Sequence, residues 1–504
     1  MKIDVGMLMA ILCYFALMLG IGVVFMVKGK KNESEAGYFL GGRKMGPYVT
    51  ALSAQASDMS GWLLMGLPGS IMALGFGEVW IAIGLAIGTY LNWLIVAARL
   101  RKFSQAAGDS ITIPQYLNNR FKAKGKVLQI VAAVIFCICF TVYVSSAYKA
   151  GAALFSTVLG LENEAVSMAI FGVILLAYTF MGGFSAVCWT DFFQALLMLV
   201  AVLFVPIFVM TSNGLDLSQA GAMVGVENYF NFLPSGKFDW ASISTIISGL
   251  AWGLGYCGMP HILVRFMSIK SSKLIKPSRR VASVWVVITL AMAVFIGVVG
   301  AVFSPDLANT EHVFINMVKT TLPPFVAGIL LSAILAAAMS TADSQLLVAS
   351  SAFTSDIYKP LIKKNASDKE ILWVGRIVVA IIAVLAYVIA IIPGLGGIMD
   401  LVSNAWAGFG AAFGPVIVLS LFWKRFTYKG AISGMIAGGL TVILWIATGL
   451  NGITGLYELF PGFIVGMAAC IIATLLDSRH PEAEEMYEYA VNFNDEEVAE
   501  GSAE

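Results

Sequence analysis

Within the apolar stretch AGILLSAILAAAMSTADSQLLVASS, residues Ala337, Ser340, Thr341 and Ser344 stand at i, i+3, i+4 and i+7, which brings them to one face of a helix. Hydroxyls beside backbone carbonyls make a hard oxygen site, the ligand type that group I and II cations prefer over nitrogen or sulfur. A singly charged site with two hydroxyls suits Na+ better than Ca2+, which takes several carboxylates. The competing reading is that these hydroxyls bond back to carbonyls one turn earlier, as Ser and Thr commonly do in membrane helices. Two carboxylates favour an ion. Asp343 stands beside Ser344, and Asp191 lies in CWTDFF, both within apolar runs where a carboxylate is costly unless it serves an ion or pairs internally. Asp191, Ser340, Asp343 and Ser344 are therefore candidates for a second cation site.

A third intramembrane carboxylate, Asp58, sits in SAQASDMSGWLLMGLPGS, where Ser53, Gln55, Ser57 and Ser60 crowd just before Gly61. This pattern predicts an unwound turn around residues 56 to 61, offering free carbonyls to a cation and half-helix N–H ends to a carboxylate. The alternative for Asp58 is a helix cap or an interhelical hydrogen bond. A second interrupted helix is expected in GLAWGLGYCGMPHI, where Gly249, Gly253, Gly255, Gly258 and Pro260 accompany Trp252 and Tyr256. Glycine in such a helix also serves close packing, which stays open here.

Enzyme chemistry finds little support. His261, His312 and His480 are far apart, and the six cysteines fall in or beside apolar runs with no metal or disulfide spacing. No phosphate-binding loop is present. A formal net charge of +1 excludes a basic nucleic-acid footprint.

The elements that must position these residues follow from composition. Of 504 residues 59% are hydrophobic and 12% charged, half the charged share of a soluble domain, and the mean hydropathy is +0.86. The bilayer is therefore the solvent. With about 20 apolar residues needed per crossing, thirteen spans are expected, near 5–27, 47–74, 77–98, 127–155, 164–183, 187–211, 240–262, 281–303, 322–356, 370–393, 398–423, 430–449 and 454–476. The first reads as an uncleaved helix, since its apolar run is too long for a signal peptide. With the N-terminus outside and the C-terminus inside, 27 of the 31 Lys and Arg fall on the inner side, Arg265 among them. The segment after Ser478 is acidic, shows no apolar face and is expected to be a mobile cytoplasmic extension.

The segments YFLGGRKMGPYVTALSAQASDMSGWLLMGLPG, WGLGYCGMPHILVRFM, AGILLSAILAAAMST, AWAGFGAAFGP and GLYELFPGFI resemble the sodium/solute symporter family, and within it the bacterial members that carry proline. The resemblance runs from about Tyr38 to the last span. It implies an all-α LeuT-type fold, a five-plus-five inverted repeat with one helix before and two after it. The divisions would be an extra first helix and inner loop (1–45), a first repeat (46–212), a second repeat (213–425), two C-terminal helices (426–477) and an acidic tail (478–504). It further implies sodium held by the carbonyls of Ala56, Met59 and Ala337 with the hydroxyls of Ser340 and Thr341. Coupling would run through Asp58, Ser60 and Gly61, and the substrate would meet Tyr143, Trp252, Tyr256 and Pro260. The function implied is sodium-coupled import of L-proline across a bacterial plasma membrane, with no cofactor beyond the coupling ion and no obligate protein partner. Pantothenate, a sugar or another amino acid remains the alternative cargo, and a channel or membrane-embedded sensor the alternative class. Two positions depart from the family pattern: Met259 stands where a glutamine is common and Asp343 where a serine is common.

Overall fold

The computed structural model describes residues 4–29, 34–180 and 182–496. It is helical throughout, and the described residues form no strand beyond a single bridge between Met45 and Ile269. Lys2, Lys30 and Lys31 of the charge count, and the last eight residues of the tail, lie outside the described residues.

Every expected span falls largely on helix. By length and apolarity, however, ten helices among the described residues qualify to cross a bilayer, or eleven when the bent pair Trp240–Gly258 and Pro260–Ser268 is taken as one. Two features account for the difference from thirteen. Trp62–Ala106 runs as one 45-residue helical stretch, bending at Gly75, whose φ of +79° suits glycine alone. Glu164–Thr179 has only 16 residues.

Among the helices long enough to cross a bilayer, Pro324–Phe353 is the most enclosed: from Leu330 to Ala352 every side chain is buried. Its run of alanines and serines lets it approach Val5–Gly29, Val127–Leu159 and Phe184–Asn213 closely. Trp240–Gly255 crosses Val79–Leu91 through four glycines, with Gly249 and Gly253 set against the Gly84 and Gly88 backbone. For Gly249 and Gly253 the packing reading is therefore the correct one.

Both interruptions form, more locally than expected. Pro47–Asp58 stays helical through Ala56 and Asp58, so the first break is confined to Met59 (φ −80°, ψ 76°) and Ser60, after which a π-helical turn, Trp62–Gly66, leads into Leu67–Leu74. The second break falls at Met259 (φ −80°, ψ 105°), between the 3-10 turn Tyr256–Gly258 and Pro260, which begins the next helix. Proline cannot donate to the preceding turn, so the bend of 47° follows from its position. The two broken elements are tied together at one end. Met45 N donates to Ser268 O at 3.2 Å and Lys270 N to Met45 O at 3.0 Å. Arg43 and Arg101 reinforce the knot, donating to the carbonyls of Met267 (2.7 Å) and Ile269 (2.6 Å).

Two sequence expectations are overturned. Arg265 is no inner-loop charge: it belongs to Pro260–Ser268 and is fully buried. The tail is no free extension either. Pro481–Asn492 is a helix with a short apolar face of Ala483, Met486 and Ala490, spaced at i, i+3 and i+7 and hidden by the flanking glutamates. It docks beside Ala97–Ala106. The Arg120 guanidinium donates to Ala483 O at 2.7 Å, and buried Asp495 accepts from Ser272 N at 2.7 Å and Ser272 Oγ at 2.9 Å.

Candidate functional site

The break at Met59 brings the Ala56 carbonyl, on the last turn of Pro47–Asp58, to the polar face of Pro324–Phe353. Ser340 Oγ donates to Ala56 O at 2.7 Å, and Thr341 Oγ1 reaches the same oxygen at 3.3 Å. Ser340 Oγ also lies 3.2 Å from Ala337 O, the back-bond of the competing reading. Both arrangements coexist at Ser340, whereas Thr341 makes only the contact between helices. Four of the five oxygens expected for a sodium ion, those of Ala56, Ala337, Ser340 and Thr341, thus converge, and Met59 occupies the non-helical turn beside them. All are buried. Hydroxyls that donate to carbonyls can also turn their lone pairs toward a cation by rotating their O–H bonds, so these side chains have the chemistry such a site requires.

Asp58 faces the second broken helix. Its Oδ2 accepts from Tyr256 Oη at 2.6 Å, while Oδ1 has no partner. Its carbonyl accepts from Trp62 Nε1 at 3.1 Å and lies 3.5 Å from Tyr143 Oη. The interhelical hydrogen bond weighed from sequence is present, and it joins the two interrupted elements. An orphaned carboxylate oxygen without exposure is costly unless another group satisfies it. Ser60 Oγ stands 3.5 Å from Trp62 N. Gly61 is required by packing: a Cβ there would come within 2.6 Å of Ala150 Cβ.

Trp252 and Tyr256 share one aromatic cluster. The Trp252 ring stacks on Tyr457 at 5.1 Å, and Tyr256 meets Trp406 edge-on at 5.1 Å. Trp406 Nε1 donates to the Trp252 carbonyl at 2.9 Å, and Asn92 Nδ2 to the Tyr256 carbonyl at 3.0 Å, satisfying backbone freed near the break. Gly255 has no room for a side chain, because a Cβ would overlap the Trp406 ring. Pro260 starts the following helix. His261, next to it, is fully buried with neither ring nitrogen bonded, its ring 6.1 Å from that of Tyr143.

The candidate second cation site is differently furnished than its sequence suggested. Asp191 and Ser344 do meet, but around the Arg265 guanidinium, whose Nη2 lies 3.2 Å from Asp191 Oδ2 and donates to Ser344 Oγ. Asp343 is buried beside them with neither carboxylate oxygen bonded. Sequence reasoning missed Arg265, His261, Trp406, Tyr457 and Asn92. Trp406 and Tyr457 lie inside motifs that carried the resemblance, but nothing in one sequence says that they stack on Trp252. Arg265 had a signal: it follows Pro260 by five residues within the same apolar run, too early for a loop.

Comparison with known proteins agrees with this architecture. The profile of the Sodium:solute symporter family matches residues 38–438. The osmoregulated proline transporter OpuE of Bacillus subtilis is 44% identical over 480 residues, covering 93% of this chain and 94% of its own length. The sodium/proline symporter of Escherichia coli is 44% identical over 486 residues, covering 94% of each. Among solved structures, a Na+-coupled sialic acid symporter in a substrate-bound outward-open state superposes with a TM-score of 0.76 at 20% identity, covering 94% of this chain and 98% of that one. MhsT in complex with L-phenylalanine superposes with a TM-score of 0.53 at 16% identity, covering 85% and 97%. With its profile match spanning most of the chain and its two broken helices joined through Asp58 and Tyr256, this protein belongs to the sodium:solute symporter family.

Proposed function

We propose that this protein is a sodium-coupled symporter that imports L-proline by alternating access. The observation that carries the coupling is the convergence of Ser340 and Thr341 on the Ala56 carbonyl, freed beside a helix break. The cargo rests on the relatives named as proline transporters over nine-tenths of their length. Sodium, held by the carbonyls of Ala56, Met59 and Ala337 with the Ser340 and Thr341 hydroxyls, ties the first broken helix to Pro324–Phe353. That fixes the turn carrying Asp58, Ser60 and Gly61, and Asp58 holds Tyr256 at 2.6 Å. Proline then binds against Trp252, Tyr256, Tyr143 and Pro260, with its carboxylate toward the half-helix N-H ends of the first break. Each ligand raises the other's affinity because both order the same pair of breaks. The membrane potential adds about 2.3 kcal/mol per charge per 100 mV to the driving force.

The finer architecture belongs to the same proposal. It has thirteen spans, N-terminus outside and C-terminus inside, in a bacterial inner membrane, with repeats at 46–212 and 213–425, flanking helices at 1–45 and 426–477, and a cytoplasmic segment from 478. Labelled L-proline uptake into proteoliposomes tests the function, under an inward sodium gradient, then with potassium in its place, then with a proton gradient alone. Accumulation only with sodium is expected. Sodium-stimulated binding of another solute without proline uptake would keep the ion site and overturn the cargo, and accumulation driven by protons alone would overturn the coupling ion.

A further inference from the structure

A buried ion pair lies one helical turn from the sodium oxygens, and the transport scheme above does not use it. The Arg265 guanidinium, fully enclosed, spans four elements. It donates to His261 O at 2.7 Å in its own helix and to Ser344 Oγ, and its Nε lies 3.2 Å from Ser53 Oγ and its Nη2 3.2 Å from Asp191 Oδ2. Ser53 Oγ donates in turn to Asp191 Oδ2 at 2.7 Å. Ser53 precedes Ala56 by three residues, and Ser344 follows Thr341 by three and Ser340 by four. At 1.5 Å rise per residue, the pair sits about 5 Å along both helices from the oxygens that would hold sodium. One pair of helices thus carries an external cation and an internal one.

Charges in a water-excluded interior feel one another with little screening. Together Arg265 and Asp191 present no net charge to the sodium site; either alone presents a full unit. We propose that Arg265 and Asp191 act as a matched pair that sets sodium affinity. In it Asp191 supplies attraction, and Arg265 supplies the opposing charge that keeps binding weak enough for release and keeps a second sodium ion off Asp191. This rests on the sodium-coupled function proposed above. Asp343 lies buried beside the pair with neither carboxylate oxygen bonded, so the comparison below is repeated in an Asp343→Asn background, which removes its charge from every variant.

The pair makes opposite predictions for its two members, which a merely structural salt bridge does not. Sodium binding is read on purified protein by tryptophan fluorescence and by counting bound radioactive sodium, in the wild type, Asp191→Asn, Arg265→Gln and the double variant. Asp191→Asn is expected to raise the half-saturating sodium concentration about tenfold, the effect of an uncompensated cation nearby. Arg265→Gln is expected to lower it by a similar factor or to admit a second bound ion. The double variant should return to within about twofold of wild type, the coupling expected of contacting charges. Weakening in both single variants, or no recovery in the double variant, would overturn the proposal. So would two ions bound to the wild type of which Asp191→Asn removes one. If a single variant fails to accumulate, the double variant decides: affinity near wild type supports the pair, and a tenfold loss refutes it. Absence of sodium binding to the wild type would instead refute the sodium-coupled function itself.

Discussion

Replacing Thr341 by valine removes one oxygen and keeps the shape of the side chain. Its Oγ1 lies 3.3 Å from Ala56 O, at the long end of hydrogen-bonding distance, and that carbonyl keeps the Ser340 hydroxyl at 2.7 Å. A neutral hydrogen bond contributes about 0.5–1.5 kcal/mol, and this long one should fall at the bottom of that range, so folding should lose about 1 kcal/mol at most. A bond to a charged partner is worth about 1.5–3 kcal/mol. At 1.4 kcal/mol per tenfold, sodium affinity should fall roughly 10- to 150-fold. The assay is proline uptake titrated with sodium, alongside protein abundance in the membrane and the thermal midpoint of the purified protein. Thr341→Ser, which restores the oxygen, should recover most of the affinity. The reasoning fails if sodium affinity is unchanged, or if abundance and sodium dependence decline in parallel in both variants, since Thr341 would then be a packing residue.

Other outcomes are expected from the same geometry. Trp252→Ala removes a ring stacked on Tyr457 at 5.1 Å; proline affinity should weaken at least tenfold, while sodium binding without proline stays within about twofold, a large aromatic being the type of anchor whose truncation costs ~2 kcal/mol or more. Unchanged proline affinity would remove Trp252 from the pocket. Asp58→Asn keeps a hydrogen-bond acceptor for Tyr256 but removes the charge, so the mutual enhancement of sodium and proline binding should shrink; isothermal titration of each ligand with and without the other reads it directly. Asp495→Ala deletes the acceptor for Ser272 N and Oγ and should cost about 1–2 kcal/mol, as loss of a cap does, seen as faster proteolysis of the tail. A tail cleaved no faster than in the wild type would show that Asp495 does not anchor it.

Much of the fold is legible along the chain because bilayer and backbone impose local rules. Apolar length marks the helices, and Pro260 beside Gly258 marks a break wherever the rest of the molecule lies. The hydroxyl face of Ser340, Thr341 and Ser344 follows from helical periodicity alone. Boundaries were less legible: the first break proved to be Met59 and Ser60 rather than 56 to 61, because the helix closes its hydrogen bonds through Asp58 before the chain turns. The tail misled for a related reason, its apolar face being three residues scattered among glutamates.

What the sequence by itself determined is the medium, the helical class, the two interruptions and the residue types able to hold a cation, since each depends on neighbours within a turn or two. Pairing between distant segments was decided only by the tertiary structure. Ala56 meets Ser340 across 284 positions and Asp58 meets Tyr256 across 198. Arg265, which composition sends to a loop, becomes tolerable in the interior only because Asp191, Ser53 and Ser344, from three other helices, arrive together to satisfy its charge.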